Sequence, residues 1–301
     1  MHKNKALSHV QKRDIICISN VKEVIAMFPV AIQVYSVRDD AAADMMGTLK
    51  KIADMGYDGV EFAGFYGYGA EEIRAQLDAL GLKAVSSHVP FVTLRNDLEA
   101  TCEYHKILGC KYIAVPYLEE GDRPGTDGWQ KTIDDILKIG KYLHSQDIQL
   151  LYHNHDFEFV KIDGEYALDM LYKAVPEDYL KTELDTCWVK FAGEDPAAYI
   201  RKYAGRAPIV HLKDFHIEGA LKAGETPYAL IKADGSDTGD AKRSTFEFRP
   251  VGYGVQNFPE ILAASKDAGA EWVIVEQDQS PTRPPLEAAK MSREYLRSIG
   301  N

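Results

Sequence analysis

The chain has 301 residues, 46% hydrophobic and 27% charged, the composition of a folded globular protein and not of a disordered or fibrous one. Its net charge of −11 repels phosphate backbones and anionic lipid, and no basic cluster overrides that sign, so nucleic-acid and membrane-surface partners are disfavoured. No apolar run approaches the roughly 20 residues of a membrane span.

Met1–Asn20 is basic and polar, and its apolar stretch around Ile15–Ile18 is broken by Asp14 and Ser19, a poor core for a signal peptide. Residues 1–27 read as an extension outside the fold, which leaves residues 28–301 as one domain. Cytoplasm is the default compartment, with export left open. Cys17, Cys102, Cys110 and Cys187 form no C-x-x-C pair and are too sparse for a disulfide framework, so they read as reduced core thiols.

From Val30 onward, short β-branched runs alternate with stretches of helical period. The predicted strands are Ala31–Tyr35, Gly59–Phe62, Ala84–His88, Tyr112–Pro116, Gln149–His153, Lys181–Asp185, Ile209–Lys213 and Trp272–Glu276. Strand-then-helix alternation implies parallel strands joined by helical crossovers. Gly56, Gly81, Gly109 and Gly269 each close a helical pattern just before a strand, as expected of C-caps in a repeated βα unit. Eight such units make a (β/α)₈ barrel, an α/β fold of one domain. The rival, an open doubly wound sheet, usually shows a glycine-rich turn after its first strand, and residues 33–40 hold no glycine. His216–Thr245 is too polar for core and reads as a long loop after the seventh strand.

In such a barrel the active site lies at the C-terminal strand ends, and here the last four strands are loaded with acids and imidazoles. The fifth ends Tyr152-His153-Asn154-His155-Asp156-Phe157-Glu158, the sixth Glu183-Leu184-Asp185, the seventh His211-Leu212-Lys213-Asp214 and the eighth Glu276-Gln277-Asp278. Alternation puts Glu183 with Asp185, His211 with Lys213, and Glu276 with Asp278 on common faces. A lone acid at a strand end is commonly a helix N-cap or an ion-pair partner. Four strands sharing one inward phase point instead to a divalent cation that relieves the carboxylates' mutual repulsion. Oxygen-rich ligands with an imidazole suit Mn²⁺ foremost, with Mg²⁺ or Co²⁺ as alternatives.

At these residues the chain resembles the xylose isomerase-like barrel superfamily, in particular its sugar phosphate isomerase/epimerase group of ketose 3-epimerases and inosose dehydratases. The likeness runs from about Val30 to Ile299 and rests on Gln33–Arg38, Gly59–Phe62, Tyr152–Phe159, Leu184-Asp185-Thr186, His211–Asp214, Gly252-Tyr253-Gly254 and Val275–Asp278. It implies one divalent ion held by Glu, Asp, His and Glu from late strands, a pattern that Asp185, His211 and Glu276 match. Many relatives carry the first Glu on the fifth strand end, where this chain has His153. Glu158 is then the expected ligand, leaving His153 and His155 for acid/base work, with His153 as the alternative ligand. Histidines at this place also make dehydration of a keto-sugar or keto-inositol a rival to epimerisation.

Gln33, Glu61, His88 and Asp278 are candidates for holding substrate hydroxyls, and Lys213 for stabilising an enolate oxygen or pairing with Glu183. Trp129, Trp188 and Tyr253 are candidates for a pocket wall or, their commoner use, for core packing. Gly252 and Gly254 suit a turn close to the site. The expected chemistry is proton transfer next to the carbonyl of a sugar or cyclitol, with His155 or Glu183 as base and His153 or a metal-bound carboxylate as acid. If the proton returns to carbon the reaction is isomerisation or epimerisation; if a β-oxygen leaves, it is dehydration. A non-catalytic sugar-binding barrel and a three-metal endonuclease are the other readings, the second disfavoured by the charge and by only nine histidines. A homo-oligomer is compatible with the sequence. No phosphate-loop or nucleophile-elbow motif is present.

Overall fold

A computed structural model describes residues 28–218 and 246–301. The predicted N-terminal extension and most of the predicted polar loop, with Cys17, lie outside the described residues. Eight parallel strands form the core: β1 Val30–Gln33, β2 Gly59–Phe62, β3 Lys83–Ser87, β4 Tyr112–Val115, β5 Gln149–His153, β6 Lys181–Asp185, β7 Ile209–Leu212 and β8 Trp272–Val275. The hydrogen-bonded order is β3-β2-β1-β8-β7-β6-β5-β4. A parallel bridge between His88 and Ala114, with the Val89 amide donating to the Ala114 carbonyl at 3.0 Å, joins β3 to β4 and closes the ring. All eight predicted strands are present, three with the predicted bounds and five shifted or shortened by one or two residues at their ends.

Period-two alternation sorts each strand into two sets. The outward set, including Ile32, Val60, Ile113, Leu150, Leu184, Val210 and Val273, joins the main core beneath the helices. The inward set begins with an apolar plug of Ala31, Val85, Tyr112, Ala114, Leu151, Ile209 and Ile274. Beyond the plug, toward the C-terminal strand ends, stand Gln33, Glu61, His153, Glu183, His211 and Glu276, all buried. The plug seals the barrel on one side and leaves the polar layer facing the mouth.

The predicted glycine stops at Gly56, Gly81, Gly109 and Gly269 each occupy a left-handed C-cap. Cys102, Cys110 and Cys187 are buried thiols. Two hairpins were not predicted. A small one pairs Lys161–Ile162 with Glu165–Tyr166. The other pairs Asp214–Ile217 with Phe246–Arg249, so the segment predicted as loop begins within a strand. Asp214 fixes the base of that hairpin: its carboxylate accepts from the amides of Phe215, Gly252, Gly254 and Gln256 at 2.8 to 3.2 Å. The approach demands glycine at 254, where a Cβ would meet the Phe215 carbonyl oxygen at 2.2 Å. The Gly252–Gly254 turn thus closes on Asp214, beside the site.

Candidate functional site

Three side-chain groups whose ligand atoms lie close enough to share a cation occur in the polar layer: His88, His153 and His211; Glu61, His88, Glu183 and His211; and His153, Asp185, His211 and Glu276. In the third, His153 Nε2 lies 3.3 Å from Asp185 Oδ2 and 3.4 Å from Glu276 Oε2, and His211 Nδ1 lies 3.1 Å from Glu276 Oε2. Atoms bound to one cation at about 2.0–2.2 Å stand this far apart, at roughly 3.0–3.4 Å. His153 Nε2 and Asp185 Oδ2 make no aligned hydrogen bond despite their burial. Buried donor atoms without an aligned hydrogen bond, converging at these spacings, fit a divalent cation, and these four side chains can hold one.

Local structure explains each position. Asp185 ends β6 and is also the N-cap of the helix Thr186–Phe191, its Oδ1 accepting from the amides of Cys187 at 2.7 Å and Trp188 at 3.2 Å. That capping fixes the carboxylate so that Oδ2 alone is left for the centre. The Asp185 amide in turn donates to Asn154 Oδ1 at 3.1 Å, tying β6 to the turn after β5. His211 and Glu276 follow from alternation, on adjacent strands β7 and β8.

Glu158, expected as the fifth-strand ligand, is not brought to any of these groups. It sits on a single turn, Phe157–Phe159, and is wholly buried. Tyr152 Oη donates to its Oε1 at 2.6 Å and the His155 amide to its Oε2 at 2.8 Å. Tyr152 is one of the outward residues of β5, so the carboxylate is drawn away from the barrel axis. Burial pushes its pKa up to about 7. In its place His153 reaches the centre.

Lys213 is the buried counter-charge. Its Nζ lies 2.8 Å from Asp278 Oδ2, 3.0 Å from Glu276 Oε2 and 3.4 Å from Asp185 Oδ2. Burial alone would lower its pKa, but Asp278, Glu276 and Asp185 hold the ammonium charged, well above the usual lysine range. The Glu183 contact expected of Lys213 is replaced by these three. Around the centre, burial opposes charge on His153, yet Asp185 and Glu276 raise it to about 9, and Glu61, Glu183 and Glu276 raise His211 well above the usual imidazole value. His155 is different: burial, then the positive charges of His153 and Lys213, push it well below that value, so it is neutral at neutral pH. Its ring stacks on Phe157 and touches Trp188 and Tyr117.

A cavity of about 450 Å³ opens over this layer. Of the expected site residues, His88, His153, His155, Lys213, Glu276 and Asp278 line it. Gln33, Glu61 and Glu183 do not; they lie behind His88 and His211, fully buried. Glu183 Oε2 accepts from His88 Nε2 at 2.8 Å. Trp129 and Trp188 are core residues and Tyr253 is half exposed, so none of the three expected wall aromatics lines the cavity. The wall is instead built by Tyr35, Phe91, Val92, Pro116 and Tyr117, from the segments that follow β1, β3 and β4. The signal for them was aromatic residues just beyond strand ends, which the concentration of acids on later strands overshadowed.

An eight-stranded parallel barrel with buried carboxylates and imidazoles at its mouth defines an α/β barrel whose side chains could hold a cation. A family model described as xylose isomerase-like TIM barrel matches residues 49–299, and the chain belongs to that family. It is 25% identical over 271 residues to an inosose dehydratase of Geobacillus thermodenitrificans, covering 83% of this chain and 87% of that protein. In structure it is similar to a sugar phosphate isomerase/epimerase from Parabacteroides distasonis, with TM-score 0.71, 20% identity and 93% and 97% of the two chains covered. It is also similar to an L-ribulose 3-epimerase, with TM-score 0.66, 15% identity and 91% and 94% covered. The site and these relatives mark the chain as an enzyme of this superfamily. Among the described residues no helix is long and apolar enough to cross a membrane.

Proposed function

We propose that the protein is a divalent-cation-dependent dehydratase that removes a proton next to the carbonyl of a sugar or cyclitol and expels a β-hydroxyl as water. The observation that carries this reading is the pairing of a cation-type centre, His153, Asp185, His211 and Glu276, with cavity-lining imidazoles of a different kind beside it. A bound cation would supply Lewis acidity toward a carbonyl and hydroxyl pair. Lys213, held permanently charged, stabilises negative charge developing on the substrate oxygen. His155 is neutral and lines the cavity, as a base for the α-proton must be. His88, also at the cavity and backed by Glu183 at 2.8 Å, is placed to protonate the departing hydroxyl. Glu183 acts in this scheme through His88 and not on substrate.

The inosose dehydratase relatives support elimination of water over return of the proton. Epimerisation, the leading expectation from sequence, shares the first step and is favoured by Glu276, a carboxylate that both lines the cavity and belongs to the cation-type group. The two outcomes separate in one experiment. The protein is incubated with Mn²⁺ and 2-keto-inositol or a ketohexose in D₂O and followed by NMR. Dehydration yields an unsaturated product one water lighter; epimerisation yields an isomer carrying deuterium at the α-carbon, and that result would replace the proposal.

A further inference from the structure

We infer that Gln33 and Glu61 are positioning residues that lock the ring of His211, and that neither touches substrate. The inference rests on the cation reading of His153, Asp185, His211 and Glu276. His211 presents its two nitrogens to two different neighbours: Nδ1 makes a hydrogen bond of 3.1 Å with Glu276 Oε2, a member of the cation-type group, and Nε2 lies 2.8 Å from Glu61 Oε2. Nε2 has no aligned hydrogen bond in the structure, and the next carboxylate oxygen, on Glu183, is 3.7 Å away. A ring turned onto a cation through Nδ1 carries its proton on Nε2, and Glu61 is the acceptor it meets.

Glu61 is itself fixed from behind. Gln33 Nε2 donates to the same Oε2 at 2.7 Å, and Gln33 Oε1 accepts from the Tyr35 amide at 3.0 Å. The backbone donor settles which end of the amide faces which way, so Gln33 can offer Glu61 only its N–H. His88 Nε2 lies 3.3 Å from Glu61, but its hydrogen bond goes to Glu183 at 2.8 Å. A chain therefore runs from the backbone after β1 through Gln33 and Glu61 to His211, with all three side chains fully buried and absent from the cavity wall. Carboxylate partners of this sort fix the tautomer and orientation of a ligating imidazole, and their loss commonly weakens metal affinity 10- to 100-fold.

The same four atoms of Glu61, His88, Glu183 and His211 could instead surround a second cation. His88 to Glu183 is a hydrogen bond of 2.8 Å, and His211 Nε2 to Glu61, although not aligned as one, is equally short; both are shorter than the spacing in the His153 group, which favours the relay.

The test is Glu61→Gln, read by Co²⁺ titration against a competing chelator and by ¹⁵N-histidine NMR of the Zn²⁺-loaded protein. The wild type is expected to bind one ion, with His211 metallated at Nδ1 and protonated at Nε2. Glu61→Gln is expected to bind the ion 10- to 100-fold more weakly, with that tautomer signature lost, and Glu61→Asp to recover part of both. Gln33→Leu, one step further from the ring, is expected to show the same loss at smaller amplitude and serves if Glu61→Gln does not fold. Unchanged affinity and tautomer in a folded variant overturn this inference alone. Two ions per wild-type chain, falling to one in Glu61→Gln, make Glu61 a ligand and also overturn it. A wild type that binds no divalent ion removes the cation reading and this inference together.

Discussion

The hydroxyl of Tyr152 donates to Glu158 at 2.6 Å and holds that carboxylate on the side of β5 opposite His153. Tyr152 and His153 are neighbours on β5 and therefore point to opposite sides of the sheet. By engaging Tyr152, Glu158 commits to the outer side, and its second oxygen holds the His155 amide. Glu158→Ala should leave Mn²⁺ affinity within about twofold, while the orphaned hydroxyl and amide cost on the order of 1–3 kcal/mol in thermal or denaturant unfolding. A tenfold or greater loss of Mn²⁺ affinity would return Glu158 to the ligand set.

His153 and His155 should fail in opposite ways although they are two residues apart. His153→Ala should raise the Mn²⁺ dissociation constant by two orders of magnitude or more, with activity partly restored by excess Mn²⁺. His155→Ala should keep its metal content and lose about 10²- to 10⁴-fold in kcat, the usual worth of a general acid or base. Metal analysis beside steady-state kinetics on both variants makes the comparison.

Much of this was legible in the sequence. The phase of Glu183 with Asp185 and of His211 with Lys213 follows from alternation alone, and the structure keeps it. Access to the cavity does not follow: Gln33 and Glu61 have the right phase and share the layer of His153 and Glu276, yet they are fully buried and do not line the cavity. Glu158 lies apart from the candidate groups for a different reason: the turn from Asn154 to Phe157 breaks the period of two, and its carboxylate bonds to Tyr152 on the outer side. Asp185 keeps both readings of a strand-end acid open: one oxygen is an N-cap, and the residue also belongs to a group that could hold a cation. The hairpin at Asp214 escaped notice because the polar residues between its strands masked the alternation of Phe246 and Phe248.

The metal-free protein should lose stability as pH rises. His153 has its folded pKa raised to about 9 from an ordinary value of 6.5, and His211 is raised further in the same direction. A raised imidazole contributes stability that is complete below about pH 6.5 and lost as pH climbs through 9. For His153 the effect is about 3 kcal/mol. Melting curves of chelator-treated protein from pH 6 to 10 should show this fall, and Mn²⁺ should flatten it, since the cation replaces the protons and stabilises the native state by mass action.

Lys213→Met removes the ammonium that Asp278, Glu276 and Asp185 share. Leaving those buried carboxylates uncompensated should cost roughly 3–5 kcal/mol. Added Mn²⁺ should recover part of the melting temperature but not kcat, because the cation restores charge balance at the centre without supplying the ammonium. Equal recovery of both would assign Lys213 a purely structural role.

The central claim is that β5 contributes a histidine to the centre. Anomalous diffraction from a crystal soaked with Mn²⁺ tests it most directly. The account predicts one ion bound by His153, Asp185, His211 and Glu276 at about 2.0–2.3 Å, with Glu158 still joined to Tyr152. An ion bound by Glu158 with His153 turned away, or no anomalous peak among these four side chains, would contradict it.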